Sequence, residues 1–357
     1  MKNKRVILVL LMLAVAMLSI VPAFTVSAQD SLIENLCLVT DIGKINDGGF
    51  NQYAYEGGKK AADEFGLTYK YIETVAQTDY AKNIDTCVKE GFKAIITVGF
   101  LIADATKAAA IANPDIYFMG VDQGVDPAPK NWTGLVFRED QAGFIAGALA
   151  AQMSKSGIVA GVYGIKIPPV QKFRNSFCEG AKFVNKDIKV LGTYNADFNT
   201  PDIGGGNAKQ FIGEGADVIF GAGGNTGNGG IIAGAEAGVY VIGVDQDQYT
   251  TVFDGGKAKG ADKIISSAVK RVDQAVYLAV KSLADGGKDF TGGGYLTMSA
   301  SNDGVGFAPK HDSDVPDAVA EYTSDILIGL KHGWIATGVD PSSGELLDAN
   351  SPCKTAD

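Results

Sequence analysis

Short apolar runs and longer mixed segments take turns along most of the chain. The first run, residues 36–39 (Leu36, Cys37, Leu38, Val39), carries no polar side chain until its end, the pattern of a parallel strand covered on both faces. A polar, glycine-containing loop follows, and Phe50 stands at the head of the next predicted helix. The same order then returns. Strands are expected at 67–74, 94–98, 116–121 and 132–137, with helices at 80–90, 102–112 and 139–154. A second series opens at 157–163 and continues with strands at 190–194, 218–222 and 240–244, separated by helices at 170–185, 202–213 and 227–237. Such alternation predicts the α/β class, with doubly wound parallel sheets and right-handed crossovers.

The two series resemble each other. Glu90-Gly91-Phe92-Lys93-Ala94-Ile95-Ile96 aligns with Glu214-Gly215-Ala216-Asp217-Val218-Ile219-Phe220 at an offset of 124, and Gly120-Val121-Asp122-Gln123 with Gly243-Val244-Asp245-Gln246 at an offset of 123. Near-equal offsets in separate segments point to an internal duplication. Two similar lobes follow from it, each with an acid just past a strand end. Beyond Gly255 the alternation stops: strand-like crossings are expected at 263–267 and 295–298, with helices at 269–284 and 315–329. Several crossings imply a hinge of more than one strand, about which two lobes close over a ligand. The expected division is an N-terminal lobe of 32–137 plus 265–290, a C-terminal lobe of 138–264 plus 291–340, and a tail of 341–357.

The loops after the strands are where open α/β sheets place ligands. Asp41 ends the first strand, and Asn46 or Asp47 is placed to cap the helix after it. Phe50 adds a flat apolar face beside carboxylates, which suits a ring compound bearing hydroxyl or amino groups; a solvated turn with a core phenylalanine is the alternative. The turn Gly221-Ala222-Gly223-Gly224-Asn225-Thr226-Gly227 lacks the Gly-Lys-Ser/Thr of a Walker loop and the last glycine of a dinucleotide fingerprint. It suits backbone N–H groups approaching a neutral, hydroxyl-rich ligand. No zinc or calcium spacing and no G-x-S-x-G elbow occurs, so neither metal nor cofactor is expected and no catalytic constellation emerges.

Residues 1–28 run from Lys2, Lys4 and Arg5 through an apolar stretch to Val26-Ser27-Ala28, the order of a secretory signal peptide. An uncut membrane anchor is the alternative, but the apolar stretch is short for a span. Removing 28 residues from 357 leaves 329, and the net charge moves from −10 to −13 as those three basic residues leave. An acidic surface of that kind repels phosphate backbones, so no nucleic-acid partner is expected. An exported chain tolerates disulfides, and four cysteines allow three pairings. Cys87 lies on the inward stripe of the helix expected to cross the first strand, which pairs it with Cys37; Cys178 with Cys353 remains. Four buried free thiols are the alternative.

The leader, the two-lobed repeat, D-x-G-x-x-N-D-x-x-F-N-Q at 41–52, E-x-x-A-G-F-x-A-G-A-L-A-A at 139–151 and A-G-G-x-T-G at 222–227 together resemble the basic membrane protein family. These are non-enzymatic substrate-binding proteins of ATP-driven importers, built like type I periplasmic binding proteins, and characterised members bind purine nucleosides. The resemblance implies that Asp41 is the first strand-end acid, Phe50 the aromatic stacked on the base, and Asp122 and Asp245 the acids on ribose hydroxyls. It further implies a backbone contact at Gly224 and a helix-starting lysine at Lys270. Asn46 joins the expected ligand contacts, and Phe220, with Phe173 behind it, is the expected second stacking aromatic. Ile42 stands where nucleoside binders often carry Asn, which leaves base identity open. Family members are commonly lipid-anchored, but no cysteine lies near the expected cleavage point. The expected protein is thus a monomer in the periplasm or on the outer face of the membrane, with a permease as partner. A sugar or ribose-derived signal is the alternative ligand for this fold, and a secreted nucleoside-cleaving enzyme the alternative of another class.

Overall fold

Strand alternation sends successive side chains to opposite faces of each sheet, and the apolar layer on each face of the two sheets explains the architecture. In the computed structural model, which describes residues 31–354, β1 (Asn35–Ile42) sends Leu36 and Leu38 to one face of its sheet and Cys37 and Val39 to the other. The expected leader at 1–28 lies outside the described residues. The first sheet is entirely parallel, with β2 (Thr68–Thr74), β3 (Ala94–Val98), β4 (Tyr117–Val121), β5 (Trp132–Phe137) and β11 (Gly294–Met298) in the order β11-β5-β4-β3-β1-β2. Helices α1 (Phe50–Phe65) and α9 (Val272–Ala284) cover the Leu36 face; α2 (Tyr80–Lys89) and α3 (Ala103–Ala112) cover the Cys37 face. The Cys37–Cys87 disulfide ties α2 to β1, the pairing expected from the sequence.

The second sheet runs β12-β10-β9-β8-β6-β7: β6 (Ile158–Tyr163), β7 (Lys189–Tyr194), β8 (Val218–Ala222), β9 (Tyr240–Asp245), β10 (Ile264–Lys270) and β12 (Val305–Phe307), the last antiparallel to β10. Its helices are α4 (Glu139–Met153), α5 (Pro168–Val184), α6 (Pro201–Gly213), α7 (Gly224–Glu236), the single turn α8 (Gln248–Thr251), and α10 (Asp317–Lys331). Helices α4 and α5 touch backbone to backbone. A Cβ on Gly147 would sit 1.9 Å from the Phe177 carbonyl oxygen, and one on Gly180 2.0 Å from that of Phe144. Gly143, Gly147 and Gly180 make this close approach possible. The tail folds back on α5 through the Cys178–Cys353 disulfide and a bond from Asn175 Nδ2 to the Gly344 carbonyl.

Among the described residues three crossings join the lobes, and two differ from the division expected. Residues 264–270 remain in the second sheet, paired with β9 and β12, so the chain crosses at Arg271 rather than near 265. Residues 294–298 remain in the first sheet beside β5, which moves the last crossing to 299–304. Helix α9 accordingly starts at Val272, because Val269 and Lys270 are held in the β10 ladder by Asp245 and Val305. The crossings are bonded to one another, Arg138 N to Met298 O at 2.9 Å and Arg271 N to Gly304 O at 2.9 Å. Arg138 and Arg271 each fork onto an aspartate two residues on, Asp140 and Asp273. The shared R-x-D-Q-A of 138–142 and 271–275 marks two equivalent hinge segments.

Candidate functional site

The strand tips of the two sheets face each other across a cleft of ≈ 680 Å³, its solvent-open mouth included. That lies within the range of small-molecule sites, about 300–1,000 Å³. Asp41, near the end of β1, and Asp122, just past β4, come from the first lobe; Asp245, at the end of β9, comes from the second. Asp122 and Asp245 both adopt left-handed backbone, φ 61° and 65°. Aspartate tolerates that region better than most residues, and its occurrence at both copies of Gly-Val-Asp-Gln turns each carboxylate into the cleft. Asp41 is anchored by accepting from the Tyr80 hydroxyl and the Ile42 N–H. Its other oxygen lies where a side chain at Gly99 would stand.

Lys270 is the central cation. Its Nζ lies 2.6 Å from Asp122 Oδ2 and 2.9 Å from Glu139 Oε1, and about 4.8 Å above both the Phe50 and Phe137 rings. Lys172 of α5 pairs with Glu139 in turn and donates to the Phe137 carbonyl. A chain of alternating charge therefore runs from the cleft to the hinge: Asp122, Lys270, Glu139, Lys172. Burial disfavours the Glu139 carboxylate, but Lys172 and Lys270 outweigh it and hold its pKa below the ordinary value. Asp122 and Asp245 are less fully compensated. Burial raises them to about 6 and about 7 against the opposing pull of Lys270, and burial likewise raises Asp41 to about 6. Among the described residues Asp122 Oδ1 is buried with no hydrogen-bond partner, an available acceptor at the cleft wall.

Of the residues expected at the site, Asp41, Phe50, Asp122, Gly224, Asp245 and Lys270 all line the cleft. Lys270 ends β10 rather than starting a helix. Asn46 is exposed and outside the lining; Asp47 organises the start of α1 instead, accepting from the N–H groups of Gly49, Asn51 and Gln52. Phe220 is misplaced as a stacking plate. It is fully buried, stacked on Phe177 with ring centroids 5.1 Å apart, because it lies two residues, about 6.6 Å, short of the β8 tip. The aromatics that reach the cleft from the second lobe are Phe173, the expected fallback, and Phe198 in the loop after β7. Phe198, Glu139 and Lys172 escaped the sequence reading. The motif at 139–151, which begins with Glu139, was the available signal for that residue; nothing local marks Phe198 or Lys172.

Among the described residues no helix is long and apolar enough to cross a membrane, and no group of three or more His, Cys, Asp or Glu is placed to hold a metal ion. A family profile described as "ABC transporter substrate-binding protein PnrA-like" matches residues 35–332. The chain is 33% identical over 309 residues to "ABC transporter nucleoside-binding protein BmpA" of Lactococcus lactis subsp. cremoris, covering 82% of this chain and 86% of that one. It is 31% identical over 281 residues to "Basic membrane protein A" of Borreliella burgdorferi, covering 78% and 80%. In structure it is similar to an ABC transporter solute-binding protein of Aeropyrum pernix K1, with TM-score 0.70 and 25% identity, covering 87% of this chain and 83% of the other.

Proposed function

The chain belongs to the Bmp family of PnrA-like ABC transporter substrate-binding proteins, and from that premise we propose that it captures a purine nucleoside between its lobes for delivery to the importer's permease. One observation carries the reading: three strand-tip carboxylates, a lysine and aromatic faces from both lobes line a single cleft. The flat base lies between Phe50 and the second-lobe pair Phe173 and Phe198. Stacking of this kind contributes roughly 1–3 kcal/mol per base. Ribose hydroxyls donate to Asp245 and to the unpartnered Asp122 Oδ1, forming charge-assisted bonds. Asp41 accepts at the first-lobe wall, the Gly224 backbone approaches from the start of α7, and Lys270 fixes Asp122 in place. A ligand that touches both lobes stabilises their closed arrangement by its differential affinity for it. The closed lobes are the surface that the permease reads. We read residues 1–28 as the leader that exports the chain, which then acts as a monomer.

Ile42, half-buried in the lining where an amide would read a base edge, favours a second reading in which the ligand is a ribose derivative lacking a purine. A thermal-shift panel of inosine, adenosine, guanosine and ribose decides between them. At 100 times its dissociation constant a ligand stabilises by about 2.7 kcal/mol, so a shift with any of the purine nucleosides and none with ribose supports the proposal. A shift with ribose alone replaces it by the second reading, and no shift with any of the four removes both.

A further inference from the structure

The loop between β1 and α1 is gripped from the opposite lobe. Asn228 Nδ2 donates to the Asp47 carbonyl at 2.9 Å, and Gln248 Nε2 and Thr251 Oγ1 donate to that of Gly48 at 3.2 and 2.9 Å. Gln246 Nε2 donates to the carbonyl of Gly49 at 3.3 Å. All four donors are second-lobe side chains, and all the acceptors are main-chain oxygens of three consecutive first-lobe residues. None of the four donors is among the residues that line the cleft. Gly48 takes φ +69°, and Gly49 an extended φ of −155° with ψ −119°, a backbone path that presents these carbonyls to the facing lobe.

Two of the donors, Gln248 and Asn228, are also bonded within their own lobe. Gln248 accepts from Val244 N through Oε1, donates its own N–H to Ser267 Oγ, and bonds Asn228 Oδ1 at 2.8 Å, so its amide cannot swing away. The duplication supplies a contrast. Gln123, the first-lobe counterpart of Gln246, bonds the Thr97 and Gly99 carbonyls of its own lobe. The same position after the same strand-tip acid thus serves one lobe internally and reaches across the cleft from the other.

We propose that Asn228, Gln246, Gln248 and Thr251 form a ligand-independent latch. By holding the segment that leads into Phe50, they keep a closed population in the empty protein and add to the affinity of every ligand by the same factor. A ligand's affinity scales with the fraction of protein already competent to hold it. The four are positioning residues: they act through the 47–49 backbone and touch no ligand.

The test compares Gln248→Ala and Thr251→Val with the parent, using small-angle scattering of the ligand-free protein and calorimetric titration with each compound of the panel that binds. Thr251→Val keeps shape and removes one cross-lobe bond, so it stands if loss of the Gln248 network impairs folding. The expected result is a larger ligand-free radius of gyration, an unchanged radius at saturation, and a Kd raised about threefold to tenfold by the same factor for every binder, as the loss of one hydrogen bond implies. An unchanged ligand-free radius overturns the latch, as does a Kd loss confined to one ligand. The scattering arm needs no ligand, so it separates failure of the latch from failure of the nucleoside reading.

Discussion

Lys270 Nζ, at the tip of β10 in the second lobe, lies 2.6 Å from Asp122 Oδ2, past the tip of β4 in the first. The pair spans the cleft, and both side chains are almost fully buried, 2% and 6% exposed. Removing one member of such a pair leaves a charge without compensation, and Lys270 also faces Glu139. Lys270→Met is therefore expected to cost about 3 kcal/mol of stability, read as a lower Tm, and to weaken ligand binding at least tenfold by releasing Asp122 from its fixed rotamer. Proton uptake by Asp122 and Glu139 relieves part of the cost at low pH, so the stability gap to the parent narrows below pH 6.

The two lobes, their parallel sheets and the strand-tip acids were legible because each rests on a local pattern. Apolar runs mark strands, and a repeated Gly-Val-Asp-Gln marks equivalent tips. What failed depended on register. Phe220 and Ala222 face the same way on β8, but only Ala222 reaches the cleft, and residue type alone does not say which of two such positions ends the strand. The run 269–284 and the family resemblance both place Lys270 at the start of a helix, while the tertiary pairing of Val269 with Asp245 holds residues 269 and 270 as strand and delays the helix to Val272. Glu139 and Lys172 lie on different helices and meet only once α4 packs on α5.

The reassignment of the aromatics separates two substitutions that the sequence treats alike. Phe50→Ala removes a partly buried cleft face, so affinity for a stacked ligand falls by about 1–3 kcal/mol, roughly five- to 150-fold, with a smaller loss of stability than a fully buried ring would give. Phe220→Ala opens a cavity among Phe173, Phe177 and Tyr163. It is expected to lower stability by 3–5 kcal/mol. Urea unfolding and calorimetric titration on both variants check the split, and equal behaviour of the two would return Phe220 to the site.

Close helix contact makes Gly147 a sharp probe of the second lobe. A Cβ there would lie 1.9 Å from the Phe177 carbonyl, a backbone atom that cannot turn aside. Gly147→Ala must part α4 from α5, and overpacking of this sort costs about 1–3 kcal/mol or more. Lower Tm is the expected readout. Because Glu139 and Lys172 sit at the starts of the same helices, a loss of ligand affinity should accompany it; unchanged stability would show that the two helices are not held at this distance.

Raised carboxylates predict how binding depends on pH. Burial is the leading cause for both Asp122 and Asp245, whose pKa values rise from 3.8 to about 6 and about 7. A group whose pKa is raised in the closed, empty form favours that form fully below pH 4, and the contribution is lost as pH climbs through 7. Hydroxyl donors act in the opposite sense, since they bond the ionised carboxylate and pull its proton off on binding. Affinity for a hydroxyl-bearing ligand should therefore rise between pH 5.5 and 7.5, on the order of ten- to a hundredfold if both groups must ionise, and level off above. Calorimetry in buffers of different ionisation enthalpy would record proton release over that window. Asp245→Asn should weaken binding and remove the upper step of the profile, leaving the lower one due to Asp122 and Asp41. An affinity flat across the whole range would mean that the carboxylates are already ionised before the ligand arrives, and the burial argument for this cleft would fail.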